Sequence, residues 1–522
     1  MIGTSVGEYI FIRICILFFQ YLPPASLLII GLSFLVPFRL PRPLSVWFVY
    51  EAAFYIFVSL PLILYIQRAT VHPELAPRER RRALLQRCLD SVTDPERYLL
   101  KWFLDSPAEE IKRENVKEFF RWAFLNKGEV ESSDEEELEE YVCMMEKCLQ
   151  RELAPGRGRA KCLRLTLDRI HVLPRSLSWY LIVFFVDAFT GCQFLYSSFR
   201  LYRPSPLSFF TSFPFRPLIL ISPYEAPTQT LTYWHRPHTS RTKLPVLFLH
   251  GIGIGLYPYV KFLQEINGED TTPEDGEIGI IAVEMMSISF RITGSALGKE
   301  DMCREIQRIV AFHGWDRFVL VAHSYGTVVA TQLLHEPSLA PRIASVVLID
   351  PVAFLLHMPD VAYNFTHRSP THANEHQLWY FASKDPLVAH TLARRFFWSE
   401  NVLWKEDILG HAVDEDDEEG RGTTGDRPGT VVLGGRDLIV DTHFLGAWLH
   451  LLASRSDARR SRSSSDERWK SLPWTGRGLE LLWFEHLDHA QVFDWPRERR
   501  LVIDVVQEYC SRMEDREAVD VV

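Results

Sequence analysis

From about residue 215 onward, short β-rich apolar runs alternate with amphipathic helical ones, and this rhythm narrows the possible folds more than any other feature. "LPVLFLHG" (244–251), "IGIIAVEMM" (278–286), "FVLVAHS" (318–324), "IASVVLIDP" (343–351), "GTVVLGGRD" (429–437) and "LELLWFEHL" (479–487) read as strands. "YPYVKFLQEI", "KEDMCREIQRIVAFHGW", "YGTVVATQLLHE" and "PRERRLVIDVVQEYCSRM" read as helices. Strands that are apolar on both faces need cover on both faces. The alternation therefore predicts an α/β fold: a mostly parallel sheet with helices on both sides.

The N-terminal part has a different texture. "ICILFFQYLPPASLLIIGLSFLV" (14–36) and "LSVWFVYEAAFYIFVSLPLILYI" (44–66) are each long enough to cross a hydrocarbon core of roughly 30 Å. Pro23 and Pro24 interrupt the first, and Glu51 is the single charge in the second. A helical membrane hairpin over 1–67 is expected, with two buried core helices as the alternative. Arg68 and the cluster Arg78, Arg80, Arg81 and Arg82 follow it, which favours a cytosolic-facing body; Arg39 and Arg42 in the turn weigh against that. Residues 68–205 read as a helical accessory region. Within it, the acidic run "EVESSDEEELEEY" (129–141) reads as a solvated or disordered segment. "SWYLIVFFVDAFTGCQFLY" (178–196), broken by Asp187, reads as a buried or membrane-surface helix rather than a crossing one.

Net charge is −10, which argues against nucleic acid as a partner. The eight cysteines form no C-x-x-C pair, so neither a zinc site nor a disulfide framework is indicated, and no cofactor is called for.

Chemistry points to "VAHSYGTVVA" (321–330). Ser324 falls where a strand ends and a helix begins, with Ala322 and Gly326 two positions either side. A nucleophile on so sharp a turn needs tiny flanking residues, because larger ones clash where the chain doubles back. A helix-capping serine is the bland alternative. "HGIGIG" (250–255) follows an earlier strand, "GGRDLIV" (434–440) a later one, and "HLDHAQVF" (486–493) the last.

With these four motifs in this order, residues 215–513 resemble the α/β-hydrolase fold family of esterases and lipases. The resemblance implies Ser324 as nucleophile, His489 as general base and Asp437 as the acid that orients it. It also implies an oxyanion hole from the backbone N–H groups of Ile252 and Tyr325. Asp350, ending "VVLID", is an alternative acid, and Asp441 a further one; His486 competes with His489. The pairs His486/His489 and His235/His238 have zinc-like spacing, but no cysteine or acidic constellation completes a metal site. A lid insertion is expected over 355–428, where the aromatic stretch "SKDPLVAHTLARRFFWSENVLW" (383–404) would cover an apolar acyl pocket, touch lipid or simply pack. "VDEDDEEGRGTTGDRPG" (413–429) and "SRSDARRSRSSSDER" (454–468) read as mobile inserts.

The expected layout is a hairpin (1–67), an accessory region (68–205), the hydrolase domain (206–513) and a tail (514–522). The expected function is a membrane-anchored serine hydrolase acting on lipid-like or other apolar carboxylic esters. A catalytically weak binding or scaffold protein, or an acyltransferase using the same residues, is the alternative. Membrane lipid and an ester substrate are the expected partners, and oligomeric state is not readable.

Overall fold

The computed structural model describes residues 2–35, 40–129, 131–268, 275–410, 427–453 and 467–512. Most of the two stretches read as mobile inserts, and the tail 514–522, lie outside the described residues.

Nine strands form the central sheet: β1 (Arg200–Arg203), β2 (Tyr224–Glu225), β3 (Thr232–Arg236), β4 (Val246–Leu249), β5 (Ile280–Glu284), β6 (Phe318–His323), β7 (Ile343–Ile349), β8 (Gly429–Gly434) and β9 (Leu479–Phe484). Their order is β9-β8-β7-β6-β4-β5-β3-β1-β2. Every neighbouring pair from β5 to β9 is parallel, whereas β3 runs antiparallel to both β5 and β1. The central strands are solvent-free along their length, as a sheet covered on both faces requires. Helices Lys299–Phe312 and Gly326–Leu334 cover one face, and helices Val260–Glu265 and Pro496–Ser511 the other. Every strand read from the sequence is present. The sheet also begins earlier than expected, because β1 to β3 are short strands with no long apolar run to announce them.

Ahead of the sheet lie α1 (Val6–Leu35), α2 (Arg42–Phe54) and α3 (Leu60–Tyr65), the last two continuous through a π turn at Tyr55–Ser59. Next come α4 (Arg78–Ser91), α5 (Pro95–Trp102), α6 (Arg113–Leu125), α7 (Glu135–Leu149) and α8 (Leu177–Tyr196). Helix α1, the α2–α3 run and α8 are each long and apolar enough to cross a membrane. Helices α4 to α7 share a core of their own around Phe103, Phe119, Phe120 and Tyr141.

The acidic run departs from its reading as a solvated or disordered segment. From Glu135 it is helical, with Leu138 and Tyr141 fully buried. Its carboxylates are neutralised by basic partners: Arg81 on Glu137 at 2.6 Å, Arg78 on Glu140 at 3.1 Å, and Lys117 and Arg113 on Glu139. Part of the arginine cluster after α3 is therefore engaged with α7.

Candidate active site

Ser324 opens the two-residue step, Ser324–Tyr325, between β6 and helix Gly326–Leu334. Its backbone has φ +51°, a conformation that costs a non-glycine residue about 1–3 kcal/mol. The turn is held from both sides: Ser324 N–H donates to Ile349 O at 3.0 Å, and Thr327 Oγ1 donates to Ser324 O at 2.6 Å. The small neighbours are obligatory. A Cβ on Gly326 would lie 2.3 Å from Leu249 O, and one on Gly251 would lie 2.7 Å from Ser324 Cβ.

Residues far apart in sequence meet at this rim of the sheet. Ser324 Oγ lies 2.8 Å from His489 Nε2, and His489 Nδ1 lies 2.7 Å from Asp437 Oδ2. Asp437, in the loop after β8, also accepts the N–H groups of Ile439 at 2.7 Å and Val440 at 2.9 Å, so its carboxylate cannot swing away. Asp488 Oδ1 accepts the backbone N–H of His489 at 2.7 Å and of Leu438 at 3.1 Å, tying the two loops together.

The other candidates fall elsewhere. Asp350 makes no hydrogen bond to the His489 ring; its two oxygens accept Gly434 N–H at 3.2 Å and Ala490 N–H at 2.7 Å. It staples the loops that carry the acid and the histidine. Asp441 caps the following helix through Phe444 N–H, and His486 is exposed.

Electrostatics follow from burial and from three carboxylates. Burial by itself pulls the His489 imidazole down, but Asp437, Asp350 and Asp488 together outweigh it, so the ring is pushed up to about 9. Burial raises Asp350 to about 7, with the Asp437 charge reinforcing the shift. Oxygen and nitrogen atoms of Asp350, Asp437 and His489 lie within 4.8 Å of one another, a spacing that can also suit a cation. Both oxygens of each carboxylate, however, are already taken by N–H donors, so a cation would have to displace hydrogen bonds that shape the site.

The "HG" loop after β4 is fixed by buried side chains. His250 Nε2 accepts Met285 N–H at 2.9 Å. Tyr259 OH accepts Gly251 N–H at 3.1 Å and donates to His323 Nδ1 at 2.9 Å. Burial holds the His323 ring well below the ordinary imidazole value, so it stays neutral and can accept. Next along the loop, Ile252 N–H has no acceptor among the described residues, and neither has Tyr325 N–H at the start of the nine-residue helix. Both residues border the same cavity as Ser324 and His489.

That cavity is mainly apolar. Val328, Val352 and Phe365 line it near the sheet, and Leu392, Phe396 and Trp398 come from the aromatic stretch read as a pocket cover. Trp102, Trp122 and Leu165 of the helical region form a further wall, which sequence reasoning missed. The motifs "YLLKWFL" and "FFRWAFL" show helices with aromatic faces, but nothing in them says that one such face meets the serine's cavity. Also missed were Tyr259, Asp488 and Asn374, whose Nδ2 donates to Asp488 Oδ2 at 2.8 Å from helix Ala373–Gln377.

The α/β hydrolase fold family model matches residues 245–400. No curated protein matches the chain. Among solved structures, the chain is similar to a membrane phospholipase A described as a bacterial virulence factor, at 11% identity over 64% of this chain and 94% of that one, with a TM-score of 0.36. It is also similar to a putative lipase of Acinetobacter baumannii AYE, at 11% identity over 63% and 97%, TM-score 0.36. A third is the naproxen esterase of Bacillus subtilis, at 14% identity over 54% and 89%, TM-score 0.32.

Proposed function

Starting from the α/β-hydrolase fold, we propose that the chain is a membrane-associated serine hydrolase that cleaves carboxylic esters with apolar acyl groups. The observation that carries this reading is the unbroken line Ser324 Oγ–His489 Nε2 and His489 Nδ1–Asp437 Oδ2, opening onto an apolar cavity beside two unpaired backbone N–H groups.

The chemistry follows from these positions. Neutral His489 accepts the Ser324 proton as Oγ attacks the ester carbonyl. Asp437 fixes the tautomer that leaves Nε2 free to accept, and it stabilises the imidazolium that forms. The carbonyl oxygen, now negative, takes the N–H groups of Ile252 and Tyr325; each such donor is worth about 3–4 kcal/mol in the transition state. Imidazolium then protonates the leaving alcohol, which departs. Water, deprotonated by His489, releases the acid from the acyl-serine. The acyl chain lies along the apolar wall. Association with a membrane is supported by three helices apolar enough to cross one, and the loop charges after α3 favour a cytosolic-facing body.

A fluorophosphonate probe tests the reading. The folded protein is expected to be labelled once, and Ser324→Ala to lose the label entirely. Absence of labelling in folded wild-type protein, or label surviving in the variant, refutes it. A series of p-nitrophenyl esters of rising acyl length is expected to favour the longer chains.

A further inference from the structure

The three apolar helices are long enough to span a bilayer, yet their charged residues and their contacts hold them to the body of the protein. Arg13, a third of the way along α1, points at His376 Nδ1 at 3.4 Å. Glu51 is fully buried at the start of α8, accepting the N–H groups of Leu177 and Ser178, each at 2.8 Å. Asp187, halfway along α8, pairs with Arg291 at 2.7 Å and Arg216 at 3.1 Å; Arg216 in turn pairs with Glu284 at the end of β5. If α8 crossed a bilayer, this network and the ends of β3 and β5 attached to it would sit at mid-membrane.

The lengths agree. Helix α1 packs through Phe19 on Trp179 and Phe381, and its buried residues continue to Pro23 and Ser26. Beyond Ser26, residues 27–35 extend about 14 Å at 1.5 Å per residue. On the other arm, residues 42–50 ahead of Glu51 extend only about 14 Å. Both are shorter than a hydrocarbon core of about 30 Å, and each matches about half of it.

The surface around this hairpin is apolar as well. On α8 the buried residues Tyr180, Val183, Thr190 and Phe194 form one stripe, and the opposite stripe exposes Ile182, Phe185, Phe189 and Leu195. The segment 206–221 continues it: Phe54 of α2 packs on Phe213, Phe213 on Phe215, and Phe215 on Phe209 and Phe210, while Leu207, Phe210 and Ile221 stand exposed. Aromatic-rich faces of this kind suit the boundary between headgroups and acyl chains.

We infer that the chain is monotopic: the α1–α2 hairpin dips into one leaflet of a lipid bilayer without crossing it, and α8 with segment 206–221 lies in the plane of that same leaflet. This rests on the membrane association proposed above, but not on the esterase reading.

Two native cysteines serve as probes. Cys143, on α7, and Cys192, on the lipid-facing stripe of α8, are both exposed in the protein alone. The full chain carrying Ser33→Cys near the hairpin tip is reconstituted in sealed phospholipid vesicles. It is then treated with a membrane-impermeant maleimide, either added outside or trapped inside, and each thiol is read by peptide mass. Cys143 is expected to react from the side that holds the body. Cys192 and the thiol at 33 are expected to be lost to labelling from either side and to react once detergent is added. Labelling at 33 from the side opposite Cys143 means the hairpin crosses, and overturns the inference. Labelling of Cys192 in vesicle-bound protein overturns the in-plane placement of α8. Protein that does not float with the vesicles overturns membrane association and the inference together. Fluorophosphonate labelling of the same sample reports on the hydrolase reading separately.

Discussion

At the scale of single residues, the site depends on how far three carboxylates shift one imidazole. His489 is raised to about 9 despite its burial, with Asp437 the leading raising influence. Only the neutral ring can take the serine proton, so kcat/KM is expected to climb with pH through a midpoint near 9. The same shift has the opposite sign for stability. A histidine whose folded value exceeds its ordinary value of about 6.5 contributes stability in full below that value, and loses it as pH rises through 9. Asp437→Asn removes the charge but not the volume. Its activity is expected to fall by roughly 10⁴, from the wrong tautomer, with the rising limb moved to lower pH. A full pH–rate profile of both proteins checks this, and an unmoved limb would show that Asp437 does not set the titration. The same residues show what a sequence can and cannot say. Ser324 was legible because its turn demands Ala322 and Gly326 beside it, and those are local facts. Choosing between Asp437 and Asp350 was harder. Both follow a parallel strand, and only the direction of each side chain separates a ring partner from a loop staple.

At the scale of elements, the cavity is built by parts with no sequence relation to each other. The helix that follows Ser324 supplies Val328, and the insert supplies Leu392 and Phe396. The helical region supplies Trp102 and Trp122, and Trp398 of the insert donates its Nε1–H to Ala123 O at 2.9 Å, joining the two walls. Strands β4 to β8 were readable because each is a largely continuous apolar run with Gly or Pro nearby. The joint at Trp398 was not, since a tryptophan that bridges two units has the same local pattern as one inside a single core. Ala362 lines the cavity and packs against the core of α4 to α7. Ala362→Trp is expected to shorten the space available to an acyl chain. At about 0.8 kcal/mol per buried methylene, excluding four of them costs about 3 kcal/mol, or roughly 200-fold in kcat/KM on long-chain esters. Acetate esters should be nearly unaffected. Equal losses on short and long esters would place the acyl chain elsewhere.

At the scale of the whole molecule, the exposed surface decides how the protein can exist in water. Phe11, Phe34, Phe57, Phe185, Phe210 and Ile221 are each more than half exposed, and they extend over α1, α2–α3, α8 and segment 206–221. Patches on soluble monomers rarely exceed a few hundred Å², and larger ones associate with whatever covers them. The hydrolase sheet needs no such cover, because its strands are already enclosed by helices on both faces. Only the outward stripes of the apolar helices lack cover, because their inner residues Ile12, Ile16, Phe19, Phe54, Tyr180 and Val183 belong to the same core as the sheet. Two consequences follow for the purified chain. In mild detergent it is expected to run as a discrete species on size exclusion with light scattering, and to keep its fluorophosphonate labelling. When detergent is removed without lipid, the same protein is expected to move to high-mass assemblies. The label should persist at first, since association through the outward stripes leaves the inner residues of these helices packed on the sheet. A discrete species that survives in plain buffer would mean that the apolar faces are covered by the chain itself. Loss of labelling in step with assembly would mean instead that the site and the membrane face are not separable.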